Sequence, residues 1–220
     1  MIISHRHQFI YIKTLKTAGT SLEIALSRFC GPDDVITKID DDDERIRRRL
    51  GYRGAQHFRP TFRRAIRDIQ VSHRSGLDIV KFFNHIPAVR VKKLLSEDDW
   101  QKYYKFTTCR NPYDLAISFY HWQKKFDPDI QNISHFLKKY GNRLYENTEI
   151  VSDSNGFLLD GFVRFENFET DLEKLSERLR FPESLWSIFQ NISAKSGVRP
   201  TCDEVLSPLE RRITSFICSS

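Results

Sequence analysis

The chain has 220 residues, of which 40% are hydrophobic and 13% aromatic, enough apolar material for one domain over 1–220 with a sizeable core and too much for a disordered chain. The formal net charge of +6 favours an anionic partner without choosing among a nucleotide, an acidic glycan and a nucleic acid. No run approaches membrane-span length, residues 1–7 lack the apolar stretch of a signal peptide, and the four Cys (Cys30, Cys109, Cys202, Cys218) show neither metal spacing nor a disulfide framework. A soluble chain in a reducing cytoplasm is expected, with a lumenal domain separated from its anchor as the alternative.

In chain order, residues 8–13 alternate bulky β-formers and predict a strand. A Thr/Ser-rich turn follows. Leu22, Ile24, Ala25, Leu26 and Phe29 then recur at helical spacing over 21–30, and Gly31-Pro32 stops that helix. Residues 33–75 carry an acidic run (40–44) and a basic one (Arg45, Arg47, Arg48, Arg49), with an Arg-rich helix predicted within 58–69; such runs are expected to be solvated surface. A second strand is predicted at 79–84, then His85-Ile86-Pro87 and a helix to Leu95 with Pro87 in its first turn. Residues 104–109 predict a third strand, followed by Arg110-Asn111-Pro112 and a helix over 113–126. A short strand at 162–166, a helix at 169–179 capped by Asn167, and a last helix at 208–216 complete the pattern. Strands alternating with helices imply an α/β fold, a mainly parallel sheet flanked by helices on both faces.

Between the first strand and its helix lies Lys16-Thr17-Ala18-Gly19-Thr20-Ser21. The first amides of a helix and its dipole favour an oxyanion there; Lys16 adds a mobile charge, Thr20 and Ser21 add hydroxyls, and Gly19 allows close approach. The segment is not the nucleotide motif G-x-x-x-x-G-K-[ST], whose Gly pair precedes the Lys. By spacing alone it serves equally as an anion cradle or as an ordinary turn with a surface Lys.

With its flanks, residues 9–21 (FIYIKTLKTAGTS), the segment resembles the 5′-phosphosulfate loop of sulfotransferases that use 3′-phosphoadenosine-5′-phosphosulfate (PAPS), most closely the carbohydrate-type branch. That resemblance implies a phosphate-loop-like fold in which Lys16 and the loop 17–21, through the amides of Thr17, Ala18, Gly19 and Thr20, hold the 5′-phosphosulfate. A second segment, 104–114 leading to Ser118, is similar to the family's 3′-phosphate site, a strand followed by Arg-Asn-Pro and a Ser eight residues after the Arg. Arg110 at the strand end and Ser118 about two turns into the next helix can converge on one phosphate. His85, in the family-like His-Ile-Pro step, is implied as general base; His73 is a weaker competitor, and His121 is expected to pack or face solvent. Residues 160–168 resemble the family more loosely and leave Arg164 and Glu166 without a firm role.

The chain departs from the pattern at Thr14-Leu15, where Ile-Pro is common, at Leu115, where Arg is common, and at its short C-terminus; Lys195 and Arg199 could supply further cationic contacts. The expected reaction is sulfuryl transfer from PAPS, leaving the desulfated nucleotide PAP, to a hydroxyl or amine of a small-molecule or glycan acceptor, with no metal and no nucleic acid. Two other readings stay open: an ATP-dependent phosphate-loop kinase, and a non-catalytic anion or nucleic-acid binder using the Arg-rich region 45–67.

Overall fold

The computed structural model describes residues 1–59, 81–192 and 206–219. Its strands are β1 (Ile2–Ser4), β2 (Phe9–Ile12), β3 (Val35–Ile36), β4 (Tyr104–Cys109), β5 (Ser152–Asp153), β6 (Gly156–Phe157) and β7 (Gly161–Arg164). The helices are α1 (Gly19–Ser27), α2 (Asp41–Arg49), α3 (Ala88–Leu94), α4 (Glu97–Lys102), α5 (Pro112–Gln123), α6 (Ile133–Tyr140), α7 (Glu146–Val151), α8 (Phe168–Arg178), α9 (Leu185–Gln190) and α10 (Pro208–Ser219).

Five strands form the central sheet in the order β3-β1-β2-β4-β7, and β5 and β6 make a separate hairpin. The pairs β2–β4 and β4–β7 are parallel, whereas β1 is antiparallel to both β2 and β3. Four strands therefore share one direction and β1 opposes them. The fold is α/β with a mixed, mainly co-directional sheet flanked by helices.

All four residues of β2 are fully buried, as expected of a central strand covered on both faces. Its alternation divides the core. Phe9 and Tyr11 pack with Leu22 and Leu26 of α1 and with Leu172 of α8. Ile10 and Ile12 face the other way, onto Val91 of α3, Trp100 of α4 and Ile150 of α7. Beyond the sheet, α5 and α6 join through Ile117, Phe119, Phe136 and Leu137.

Several sequence expectations shift. The strands predicted at 8–13 and 104–109 and the helix after Pro87 are present, but β1 and β3, of three and two residues, were too short to give a period. Residues 81–84 are not strand: Phe82 buries its ring and donates its amide to the Phe58 carbonyl at 2.9 Å, and the chain then turns at Asn84 and His85. His85 has φ 57°, which no strand residue adopts, so it sits on a turn and not at a strand end. Pro87 is the residue before α3, with ψ 139°, and not part of its first turn. The predicted strand at 162–166 is β7, ending at Arg164, and Phe165–Asn167 form a 3₁₀ turn. Asn167 takes the cap position of α8 without a side-chain cap bond.

The charged run 40–49 is more than solvated surface. It forms α2, acidic in its first turn and basic in its last, which suits the helix dipole. Asp43 and Arg47 on it are buried. Most of the Arg-rich helix expected at 58–69, residues 79–80, His73, Lys195 and Arg199 lie outside the described residues. Among the described residues, no helix is long and apolar enough to cross a membrane.

Candidate functional site

The parallel strands β2 and β4 are neighbours, so the segments leaving their carboxyl ends, 13–18 and 110–111, emerge side by side. Above them lies a cleft of about 720 Å³. Lys16, Ala18, Gly19, Thr20, Ser21, His85, Arg110 and Ser118, which the sequence singled out in three separate segments, all line it. Thr17 does not. It is buried, and its hydroxyl turns inward to Thr108 Oγ1 at 2.7 Å and Thr14 Oγ1 at 2.9 Å.

Two residues of the first loop are left-handed without being glycine: Lys16 (φ 62°) and Ala18 (φ 59°). Such backbone costs about 1–3 kcal/mol per residue and persists only where the surroundings impose it. Two sets of contacts do so. Beneath the loop, Thr14 Oγ1 donates to the Thr108 carbonyl at 2.5 Å, and Thr107 Oγ1 donates to the Ile12 carbonyl at 2.6 Å. With the Thr17 contacts, these tie the end of β2 to the end of β4 and so fix the loop relative to Arg110. From the side, Asn147 of α7 accepts from the Leu15 amide at 2.7 Å and donates to the Leu15 carbonyl at 3.0 Å, pairing with the loop as a strand would.

Ala18 is the N-cap of α1 and has no side-chain acceptor to offer, so the amides of Gly19, Thr20 and Ser21 and the positive end of the dipole are left for an anion. Gly19 serves a purpose the sequence did not suggest. A Cβ there would fall 2.8 Å from the Tyr11 hydroxyl oxygen and 3.0 Å from Lys13 Cγ, so its lack of a side chain lets α1 close onto β2.

At the second strand end, Asn111 caps α5 by accepting from the Tyr113 amide at 2.9 Å, and its own amide donates to Glu166 Oε1 at 2.6 Å. Glu166 thus has a role in holding the Arg-Asn-Pro turn. The Arg110 guanidinium lies 4.1 Å from the centroid of Phe165. Arg164 instead pairs with Asp171 of α8 at 2.7 Å, away from the cleft. His121 does not line the cleft either.

His85 Nδ1 lies 3.0 Å from the Lys13 carbonyl oxygen. A carbonyl only accepts, so Nδ1 carries the proton and Nε2 keeps its lone pair. Burial, reinforced by the positive charge of Lys13, brings the imidazole down to about 4, leaving it neutral at pH 7.

No family model, curated protein or solved structure matches this chain. The site is therefore read from its own geometry.

The cleft also holds residues that the sequence reading passed over: Asp40, Trp122, Lys125 and Arg143. Trp122 was legible in principle, since it follows Ser118 by one turn on the same face of α5. Arg143 and Asn147 follow α6 in the chain and carry no local signal. Five Lys and Arg side chains line the cleft against one carboxylate, Asp40, so its field favours an anionic ligand.

Asn147→Ala should remove both bonds to Leu15 and lower the stability by about 1–3 kcal/mol. Thermal unfolding with and without an anionic ligand checks this. Wild-type behaviour for Asn147→Ala would remove the clamp from the account of the loop.

Proposed function

We propose that the chain is a PAPS-dependent sulfotransferase that transfers a sulfuryl group to a hydroxyl or amine of an acceptor, with a carbohydrate or glycoconjugate as the favoured class. One observation carries this reading: the three segments on which the family resemblance rests converge on a single cationic cleft. They place an anion loop, a separate Arg–Ser pair and a neutral imidazole around the same space.

In this reading the amides at the start of α1 and Lys16 hold the 5′-phosphosulfate, and Arg110 and Ser118 hold the 3′-phosphate. His85 Nε2 takes the acceptor proton as the new oxygen–sulfur bond forms. Lys16 stabilises the charge left on the phosphate oxygen as the old sulfur–oxygen bond breaks. The products are a sulfated acceptor and PAP. Such a loose transfer depends mainly on positioning and charge, which the tied strand ends supply.

The test is PAP formation from PAPS in the presence of mixed hydroxyl and amine acceptors, with ATP–Mg²⁺ run in parallel. PAP release that Lys16→Ala reduces supports the reading. Turnover of ATP–Mg²⁺ in its place moves the chain to a kinase, and salt-sensitive binding of a short DNA with no turnover makes it a nucleic-acid binder.

Arg110→Ala should weaken PAP binding by about 2–4 kcal/mol, the range for truncating one partner of a desolvated charge pair. The fold should survive, because Arg110 stands just past the end of β4 and outside the buried core. Arg110→Lys should recover only part of the loss, since an ammonium lacks the planar fork. A folded Arg110→Ala variant with unchanged PAP affinity contradicts the 3′-phosphate assignment.

A further inference from the structure

The donor assignment accounts for the cationic side of the cleft and leaves its one carboxylate, Asp40, without a task. Asp40 opens the acidic run 40–44. Three of its neighbours there are matched within the protein: Asp41 pairs with Lys38 at 2.8 Å, Asp42 with Arg45 at 3.0 Å and Glu44 with Arg47 at 2.9 Å. Asp40 is exposed and stands at the N-cap of α2, where an Asp ordinarily accepts from an amide of the first turn, yet its carboxylate makes no such bond. Among the described residues that carboxylate has no hydrogen-bonding or cationic partner. The chain also brings it beside the proposed base. Asn84 Nδ2 donates to the Lys38 carbonyl at 3.0 Å, so the segment leading to Asp40 is tied to the turn that presents His85.

We propose that Asp40 selects the acceptor, an amino sugar whose ammonium it holds while one of the sugar's hydroxyls faces His85. The inference rests on the donor assignment above. The charge of the loaded cleft supports it. Two of the cleft's cations are matched within the protein, Lys13 by Glu23 at 3.0 Å and Arg143 by Glu146 at 2.9 Å. A 5′-phosphosulfate and a 3′-phosphate together bring about four negative charges, more than Lys16, Arg110 and Lys125 carry. The cleft, cationic on its own, becomes anionic with the donor in it. It then repels an acidic acceptor and draws a cationic one to the exposed carboxylate. An ammonium held by Asp40 keeps its protons and has no lone pair with which to attack, so transfer goes to oxygen. The hydroxyl forms the new oxygen–sulfur bond, its proton passes to His85 Nε2, the donor's sulfur–oxygen bond breaks and PAP leaves. The amine emerges unsulfated.

Glucosamine, N-acetylglucosamine and glucuronic acid present similar hexose rings with a positive, a neutral and a negative substituent. PAP release from PAPS should be fastest with glucosamine, by about tenfold in kcat/KM over either of the others, the size expected of one charge-assisted hydrogen bond. The product should carry its sulfate on oxygen beside a free amine. Asp40→Asn and Asp40→Ser, both at home at a helix N-cap, should each remove most of that preference. A rise in melting temperature with PAP shows that a variant is folded with its donor site intact. The proposal is overturned if PAP raises the melting temperature of the wild-type chain but glucosamine is no better than N-acetylglucosamine, if glucuronic acid is preferred, or if none of the three accepts sulfate. Sulfate on nitrogen, or a folded Asp40 variant that keeps the preference, overturns it as well. If PAP does not raise the melting temperature of the wild-type chain at all, the donor assignment itself fails and this inference falls with it.

Discussion

His85→Ala and His85→Asn should each lower sulfuryl transfer by about 10²–10⁴-fold, the usual contribution of a positioned general base, with PAP affinity nearly unchanged. The Asn variant matters because residue 85 has φ 57°, a conformation that Asn tolerates better than Ala, so it separates loss of the base from strain in the turn. An ordinary imidazole base would give a rate rising with pH through an ionisation at about 6.5. Burial and the charge of Lys13 move that ionisation to about 4 in the unliganded chain. The neutral imidazole is the active form. The rate at limiting PAPS should therefore be level through neutral pH and fall only as pH drops toward 4. A bound dianionic donor favours the imidazolium, so the acid limb at saturating PAPS should lie higher. An acid limb near 6.5 at limiting PAPS, or an active His85→Asn variant, would place the base elsewhere.

Glu23→Gln should destabilise the fold by about 3–5 kcal/mol, the cost of leaving a buried charge without its partner. Glu23 lies on α1 and is fully buried, with Oε2 3.0 Å from Lys13 Nζ and Oε1 2.9 Å from the Met1 amino group. Thr37 Oγ1 donates to Oε1 at 3.0 Å, and Arg47 Nη2 lies 3.7 Å from it. Burial alone would raise the carboxyl, but Lys13, the Met1 amino group and Arg47 outweigh it and hold it near 2. The folded value lies below the ordinary 4.5. This stabilisation is therefore complete above about 4.5 and is lost as pH falls toward 2. His85, also depressed, contributes in the same direction from about 6.5 down to 4. The chain should lose stability steadily with acid. For a chain of this size the Glu23→Gln loss lowers the melting temperature by roughly 6–20 °C. Adding Lys13→Met to Glu23→Gln should recover only part of it, because the Met1 amino group and Arg47 still face the site. A Glu23→Gln variant that melts with wild type would show that water or another group already serves Lys13.

The parts of this arrangement that were legible from the sequence are those built by short-range chemistry. β2, β4 and the helices after them have periods long enough to read, and the loop at 16–21 and the Arg-Asn-Pro turn declare themselves by composition. The residues that hold the loop in shape were not legible, because their partners lie far along the chain: Thr17 with Thr108, Leu15 with Asn147. The same is true of α2. A run of Asp and Arg reads as surface by composition, yet Arg47 is buried because Glu44 and Glu23 offer it carboxylates under the sheet. His85 lines the cleft, but not by the route the sequence suggested. A turn with positive φ, and not a strand end, presents it to the cleft.

Calorimetric titration with PAP beside AMP tests the two-anchor cleft most directly, because the nucleotides differ only in the 3′-phosphate assigned to Arg110 and Ser118. The expected result is PAP binding at least about 30-fold tighter than AMP, equivalent to about 2 kcal/mol, with Arg110→Ala removing the difference. Equal affinities for PAP and AMP in the wild-type chain would contradict the assignment of this cleft to a PAPS donor.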